Sequence, residues 1–259
     1  MLPGELWPLA HRYLLPAALV SVRVAVIFAS FPPPFSSVAP GRMRALLSLL
    51  VAWLLCLSLP ALPTVTVEPM PALLKAVLGE VLAGGVIGLT VRATLAAAEI
   101  AGDIAAFSMG LAFAASVDPL HGGQSTPVAQ VMNALAALIF FALEAHHAVL
   151  QALVASLHTA PPGGAFVILT RTNVLHIGGE MLAHGLRFAS PVVATMFIVQ
   201  LSTGLVARAA PRVNLFSLAF GIAATVGMLT LLVSAPSIVH AITAVVRTLG
   251  PELARVVGR

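Results

Sequence analysis

Glu99 and Asp103 stand one helical turn apart in the stretch AEIAGDIAAF, set among alanines and a glycine. Residues four apart lie on one face of a helix, so the two carboxylates would point the same way. In apolar surroundings such a pair can relay protons, or it can pair with cations on neighbouring helices or subunits; ion pairing is the expected use here. Glu144, His146 and His147 are metal-ligating types, but a metal needs further ligands converging in space, and no second His or Cys cluster supplies them. Nucleophilic catalysis would need an activated Ser or Cys with a base and an orienting acid, and no serine or histidine falls in a recognisable elbow or helix signature. The glycines at 84–88 and 122–123 make no nucleotide cradle, since no strand precedes them and no lysine follows. The residues therefore predict no enzyme and no bound cofactor or metal.

The elements that position these side chains follow from composition. Hydrophobic residues make up 59% of the 259 and charged residues only 8%, with a mean hydropathy of +1.04. A soluble domain carries about a quarter charged residues, so the chain reads as an all-α integral membrane protein. Its formal charge of +4 comes from 13 basic residues spread thinly along the sequence. No run of Lys or Arg could follow a phosphate backbone, which excludes nucleic acid as a partner. Cys56, the single cysteine, can form no internal disulfide and reads as a small packed or lipid-facing residue.

Apolar stretches of about 20 residues are long enough to cross a bilayer. Six are expected, at residues 9–31, 43–62, 72–113, 128–157, 174–206 and 214–247, several of them long enough to require kinks, tilts or protruding ends. The first holds Arg12 and Arg23 and has no clear small-residue cleavage site, so it is expected to stay as a membrane segment and not to be removed as a signal peptide. Prolines punctuate the chain in FPPPFSSVAPGRMR (31–44), LPALPTVTVEPMP (59–71), HTAPPGG (158–164) and ARAAPRVNLF (207–216), where a helix cannot run through. Basic residues are so evenly divided between the two sides that orientation stays open.

Arg23, Arg92, Glu99, Asp103, Glu144 and Arg187 fall inside the apolar stretches. At about 2.5–3.5 kcal/mol each on insertion scales, six such groups facing lipid would cost on the order of 15–20 kcal/mol, more than a domain's usual net stability. They are expected to face protein, one another or water. Gly84 and Gly88 form a GxxxG pair, and Ala98, Gly102, Ala106 and Gly110 repeat a small residue every four positions, which lets helix backbones approach closely. On the fourth stretch Gln130, Asn133, Glu144, His147 and Gln151 return to nearly one helical angle. They predict a polar stripe along one continuous helix, bonding to neighbouring helices or lining a water-filled path.

Between the third and fourth stretches lies SVDPLHGGQSTP (116–127), whose prolines, glycines and aspartate end one helix before Pro127 opens the next. Two hydrophobic arms thus hold a short loop with His121, Gly122, Gly123 and Gln124 at its tip, and glycine supplies backbone freedom there.

Read together, VRVAVIFASFPPPFSSVAPGRMRALLSLLVAWLL (22–55), AGDIAAFSMGLAFAASVDP (101–119), GGQSTPVAQVMNALAALIFFALEAHHAVLQALVASL (122–157), the PPGG break at 161–164 and ASPVVATMFIVQLSTGLVARAAPRVNLF (189–216) resemble the FliR family of flagellar biosynthesis proteins. The injectisome relatives of that family are the SctT proteins. The most specific features are the Arg-Ala-Ala-Pro hinge from Arg208 to Pro211 with Asn214 and Phe216 downstream, and Asp118-Pro119 behind Met109-Gly110. His146 matches the family's histidine, although Ala145 stands where the family usually has glycine.

The resemblance implies a non-enzymatic export-gate subunit of a type III secretion system, flagellar in preference to injectisome, at the flagellar basal body in the bacterial inner membrane. It implies a single domain over 1–259 in which a FliP-like part, about 1–205, joins a FliQ-like hairpin. FliP-like and FliQ-like subunits would complete a pore for unfolded substrate proteins, with FlhB-like and FlhA-like proteins and membrane lipid as further partners. The loop at about 113–127 would plug the closed pore through Phe113, Ser116, Asp118, Pro119, His121, Gly122, Gly123, Gln124 and Pro127. Subunit packing and ion pairs would fall to Arg23, Arg92, Glu99, Asp103, Glu144, His146, Arg208, Pro211 and Asn214. A secondary transporter, the reading from another class, predicts inverted repeats and a midplane solute site; the sequence has no convincing inverted repeat.

Overall fold

A computed structural model describes residues 14–32, 40–58, 70–111, 125–209 and 215–258. Among these residues there are eight helices and no strand: α1 (Leu15–Ala29), α2 (Gly41–Ser58), α3 (Met70–Ser108), α4 (Pro127–Ala142), α5 (Ala145–Thr159), α6 (Phe166–Arg171), α7 (Val174–Ala209) and α8 (Leu215–Val257). Three helical stretches are long and apolar enough to cross a membrane, namely α3, α7 and the Ala219–Val257 part of α8, and α4 with α5 adds a fourth if the pair counts as one span. The chain divides into two compact units, one formed by Met1–Ala93, Glu144–Ile177 and Thr248–Arg259, the other by Thr94–Leu143 and Gly178–Arg247.

In the first unit α1 packs on α2, and the GxxxG pair brings α1 and α3 into backbone contact. A Cβ added at Gly84 would lie 2.7 Å from the Arg23 carbonyl oxygen, and one at Gly88 would collide with the Ser30 hydroxyl. Ala83 and Val86 of α3 join Ala160, Ala165 and Ile168 in a buried cluster completed by Val256. The close approach encloses a charge. The Arg23 guanidinium, 0% exposed, donates from Nε to Glu80 Oε2 at 2.7 Å, from one terminal nitrogen to Ser156 Oγ at 2.9 Å and from the other to the Ala160 carbonyl at 3.0 Å. Glu80 Oε1 accepts the Gly163 N–H at 3.0 Å. One ion pair therefore ties α1, α3, the end of α5 and the PPGG turn together, with every guanidinium nitrogen engaged, as a buried arginine requires.

The second unit is built on small residues. Ala97, Ala98, Ala101, Ala105 and Ala106 of α3 are buried, and a Cβ at Gly102 would overlap the backbone of Ala129 in α4. Gly185 of α7 lies over α3, where a Cβ would meet the Ala97 carbonyl oxygen at 3.1 Å and the Ile100 side chain at 2.9 Å. Phe140, Phe188, Val192 and Met196 fill the remaining core. Leu201, Leu205, Leu229, Leu232 and Val233 stand exposed on α7 and α8, as lipid-facing or subunit-facing surface does.

The sequence-based expectations need three corrections. The fourth stretch is two helices, because Leu143 caps α4 and Glu144 adopts a left-handed backbone at φ 54° before α5 begins. Gln130 and Asn133 therefore lie on a different helix from Glu144, His147 and Gln151, and the single polar stripe does not exist. Only a non-glycine residue at positive φ, rare in general, made this break, and nothing in the local composition announces it. The short α6 was not expected, and the sixth stretch continues to Val257 through Gly250-Pro251. Of the charges within the apolar stretches, Arg23 is buried, Glu99 and Asp103 are half-buried, and Arg92, Glu144 and Arg187 are exposed.

Candidate functional site

The segment between α3 and α4 is held at both of its described ends by the second unit. At its first end α3 closes in a Schellman turn: Gly110 takes φ +78°, its N–H donates to the Phe107 carbonyl at 3.0 Å, and the Leu111 N–H reaches back to the Ala106 carbonyl at 2.9 Å. Glycine is favoured at that left-handed position because a side chain there would be strained. Met109, just before it, is 0% exposed. It fits against Gly227 of α8, where a Cβ would run into the methionine side chain. The Gln200 amide on α7 donates to the Ser108 carbonyl at 3.2 Å, satisfying one of the acceptors that a helix end leaves open.

At the second end Thr126 caps α4. Its hydroxyl accepts the Ala129 N–H at 3.3 Å, and Pro127 occupies the first turn, where its missing N–H costs nothing. Asp103 on α3 then fixes the cap itself. Its Oδ1 accepts the Thr126 N–H at 3.1 Å and the Thr126 hydroxyl at 2.8 Å. The Gln130 side chain adds a bond to the Ser125 carbonyl at 3.0 Å. Asp103 precedes Ser108 by five residues, about 7–8 Å along a helix, so both ends of the segment are moored near the same stretch of α3.

Of the expected loop residues, Phe113, Ser116, Asp118, Pro119, His121, Gly122, Gly123 and Gln124 lie outside the described residues, as do Pro211 and Asn214 of the hinge. Pro127 is the first residue of α4. Arg23 is engaged inside the chain, and so is Asp103, through Thr126. Glu144 pairs with His147 at 3.3 Å on the surface, and the His146 ring lies 4.3 Å from that of His147. Arg208 stands exposed in the last turn of α7, a favourable place for a cation at a helix C-terminus. No group of three metal-ligating side chains converges among the described residues.

Sequence reasoning missed Glu80, Thr126, Ser156 and Gln200. Two of these carried a signal. Glu80 stands one turn before Gly84 and two before Gly88, hence on the face that the glycines bring against α1. Thr126-Pro127 is a helix-start pair. Ser156 and Gln200 reach partners distant in sequence, which no local pattern reports.

The family of bacterial export proteins, family 1, matches residues 14–249. Similar proteins include the flagellar biosynthetic protein FliR of Escherichia coli (strain K12), 32% identical over 80% of this chain and 79% of its own length. FliR of Pectobacterium carotovorum subsp. carotovorum is 31% identical over 81% and 80%, and FliR of Bacillus subtilis (strain 168) is 27% identical over 85% and 86%.

Proposed function

The chain belongs to family 1 of the bacterial export proteins, and from that membership we propose that it is a membrane-embedded, non-enzymatic component of the flagellar export apparatus, acting as a subunit of its gate. In this reading it lies in the inner membrane at the basal body. FliP-like and FliQ-like subunits complete the channel for unfolded substrates, and FlhB-like and FlhA-like proteins act beside it. The part at about 1–205 corresponds to a FliP-like unit and the part toward the C-terminus to a FliQ-like hairpin.

The observation that supports a gating role is the double mooring of the α3–α4 segment. A plug needs ends that do not wander and an interior that can move. Asp103 with Thr126 holds one end and the Met109–Gly110 turn the other. The residues between them, from Phe113 to Gln124, are rich in glycine and small side chains at their tip and occlude the pore in the closed state. Deleting Leu120–Gln124 tests this. Cells carrying the assembled gate should become leaky to small ions and solutes, and unchanged permeability in a gate that still assembles would refute the plug.

A further inference from the structure

The two ends of the α3–α4 segment are fastened to different elements. The first end rests on α7 and α8 through three consecutive residues. The Ser108 hydroxyl is committed to the Ile104 carbonyl at 2.8 Å, while the Ser108 carbonyl takes the Gln200 amide of α7 at 3.2 Å. The buried Met109 side chain fills the notch that Gly227 leaves in α8, where a Cβ would collide with Cγ and meet Sδ at 3.0 Å and Cε at 3.1 Å. Gly110 lies against the Phe220 ring, which a Cβ there would meet at 3.4 Å. Phe220 and Gly227 are seven residues apart, two turns, so both contacts fall on one face of α8.

The second end is fastened by α3 and α4 themselves. Asp103 of α3 accepts both Thr126 bonds, the Gln130 amide donates to the Ser125 carbonyl, and Gly102 seats α3 directly on the α4 backbone at Ala129.

The fastenings also differ in kind. Bonds to the Asp103 carboxylate are charge-assisted and about twice as strong as neutral ones, and their donor, Thr126, is buried. The bond from Gln200 to Ser108 is neutral and Gln200 is exposed, so water competes for it. Met109 adds packing without a directed bond. Its unbranched thioether chain adapts to the surface beside it, so it can leave the Gly227 notch and return without stranding a polar group.

We propose that the last turn of α3, residues 108–111, is a latch whose keeper is the pair α7 and α8. Displacing these two helices unfastens the first end of the segment, and the second end stays anchored on Asp103. The functional sense of the latch rests on reading the segment as a plug, which makes α7 and α8 the elements that release it. The latch itself is read in the purified chain, so a failed plug and a failed latch show separately.

The test is amide hydrogen exchange across the full-length chain purified in mild detergent. Gly227→Ala drives Met109 from its seat and should raise exchange at residues 109–111 roughly tenfold, with Thr126 and 128–130 unchanged. Gln200→Ala leaves that packing intact and should raise exchange at 109–111 only a few-fold. Met109→Ala combined with Gly227→Ala removes the Cγ, Sδ and Cε atoms that the new methyl would meet, so the double variant should exchange more slowly there than Gly227→Ala alone. Asp103→Ala should give the opposite pattern, opening Thr126 and leaving 109–111 as in the parent. Unchanged exchange at 109–111 in both Gly227→Ala and Gln200→Ala would overturn the latch. A rise shared equally by the two ends in those chains would overturn it in favour of one cooperative unit, and a double variant as open as Gly227→Ala would overturn the seating of Met109 as its basis.

Discussion

Asp103→Ala removes the carboxylate that moors the start of α4. Its Oδ1 accepts two hydrogen bonds, from the Thr126 N–H and hydroxyl at 3.1 and 2.8 Å. Bonds to a charged group contribute about 1.5–3 kcal/mol each when dry. Asp103 is half-buried, so solvent screening reduces the pair to about 2–3 kcal/mol in total. Thr126 is only 8% exposed, which prevents water from replacing the acceptor in full. At about 1.4 kcal/mol per factor of ten, local opening of the α4 cap should rise roughly 30- to 150-fold. Asp103→Asn keeps an acceptor oxygen without its charge and should rise only a few-fold. Amide hydrogen exchange at Thr126 and 128–130 in the purified chain reads this directly, with the amides of α5 as an internal control. Unchanged exchange in Asp103→Ala would refute the mooring. A rise spread equally over α5 would replace a local anchor with general loss of stability. The assay also separates the other roles of this acid. If Asp103 served a contact between subunits, exchange would stay constant while co-purification with a FliP-like partner fell. If it relayed protons, both would stay constant and export would lose its dependence on the proton-motive force.

Glu80→Ala should destabilise the chain by about 3–5 kcal/mol, because it strands the fully buried Arg23. Thermal unfolding in detergent should show it, and the paired Arg23→Met/Glu80→Met chain should recover most of the loss; a Glu80→Ala chain as stable as the parent would refute the latch. Gly102→Ala should cost about 1–3 kcal/mol, since its Cβ would overlap the Ala129 backbone. Gly178→Ala, with nothing within 4 Å, should instead be neutral or stabilising by up to about 1 kcal/mol, and equal effects of the two in the same melt would remove the packing argument.

Helices, proline breaks and close-packing glycines were legible because each is dictated locally: by twenty apolar residues, by a ring that removes a donor, or by a missing Cβ that only a neighbouring backbone can exploit. Gly84 and Gly88 predicted a contact whose partner, the backbone of α1 at Arg23, follows from the fold alone. Asp103 was recognised as a residue with work to do, yet its partner is Thr126 in the same chain, reached only after the chain turns back on itself. The α4–α5 break was illegible for another reason. The stretch FFALEAHH contains no proline or glycine, so no residue in it signals the left-handed backbone that Glu144 adopts.

The distribution of charge then explains how so apolar a chain holds a defined shape. Hydrophobic burial alone does not discriminate among ways of packing helices whose outer faces are as oily as their inner ones, because lipid solvates both equally well. Discrimination has to come from groups that lipid cannot solvate. Arg23 with Glu80 admits one register of α1 against α3, since no other brings Ser156, the Ala160 carbonyl and the Gly163 N–H to the same two side chains. Asp103 does the same for α4 against α3 at lower cost, being half-buried and needing only a neutral cap as partner. The small residues on the same faces make these approaches short enough for the bonds to form. A double-mutant cycle between Gly84→Ala and Glu80→Gln should accordingly show coupling of roughly 0.5–3 kcal/mol in thermal unfolding, because widening the α1–α3 gap lengthens the very bond that the second change weakens. Strict additivity would mean that packing and the buried pair specify the register independently.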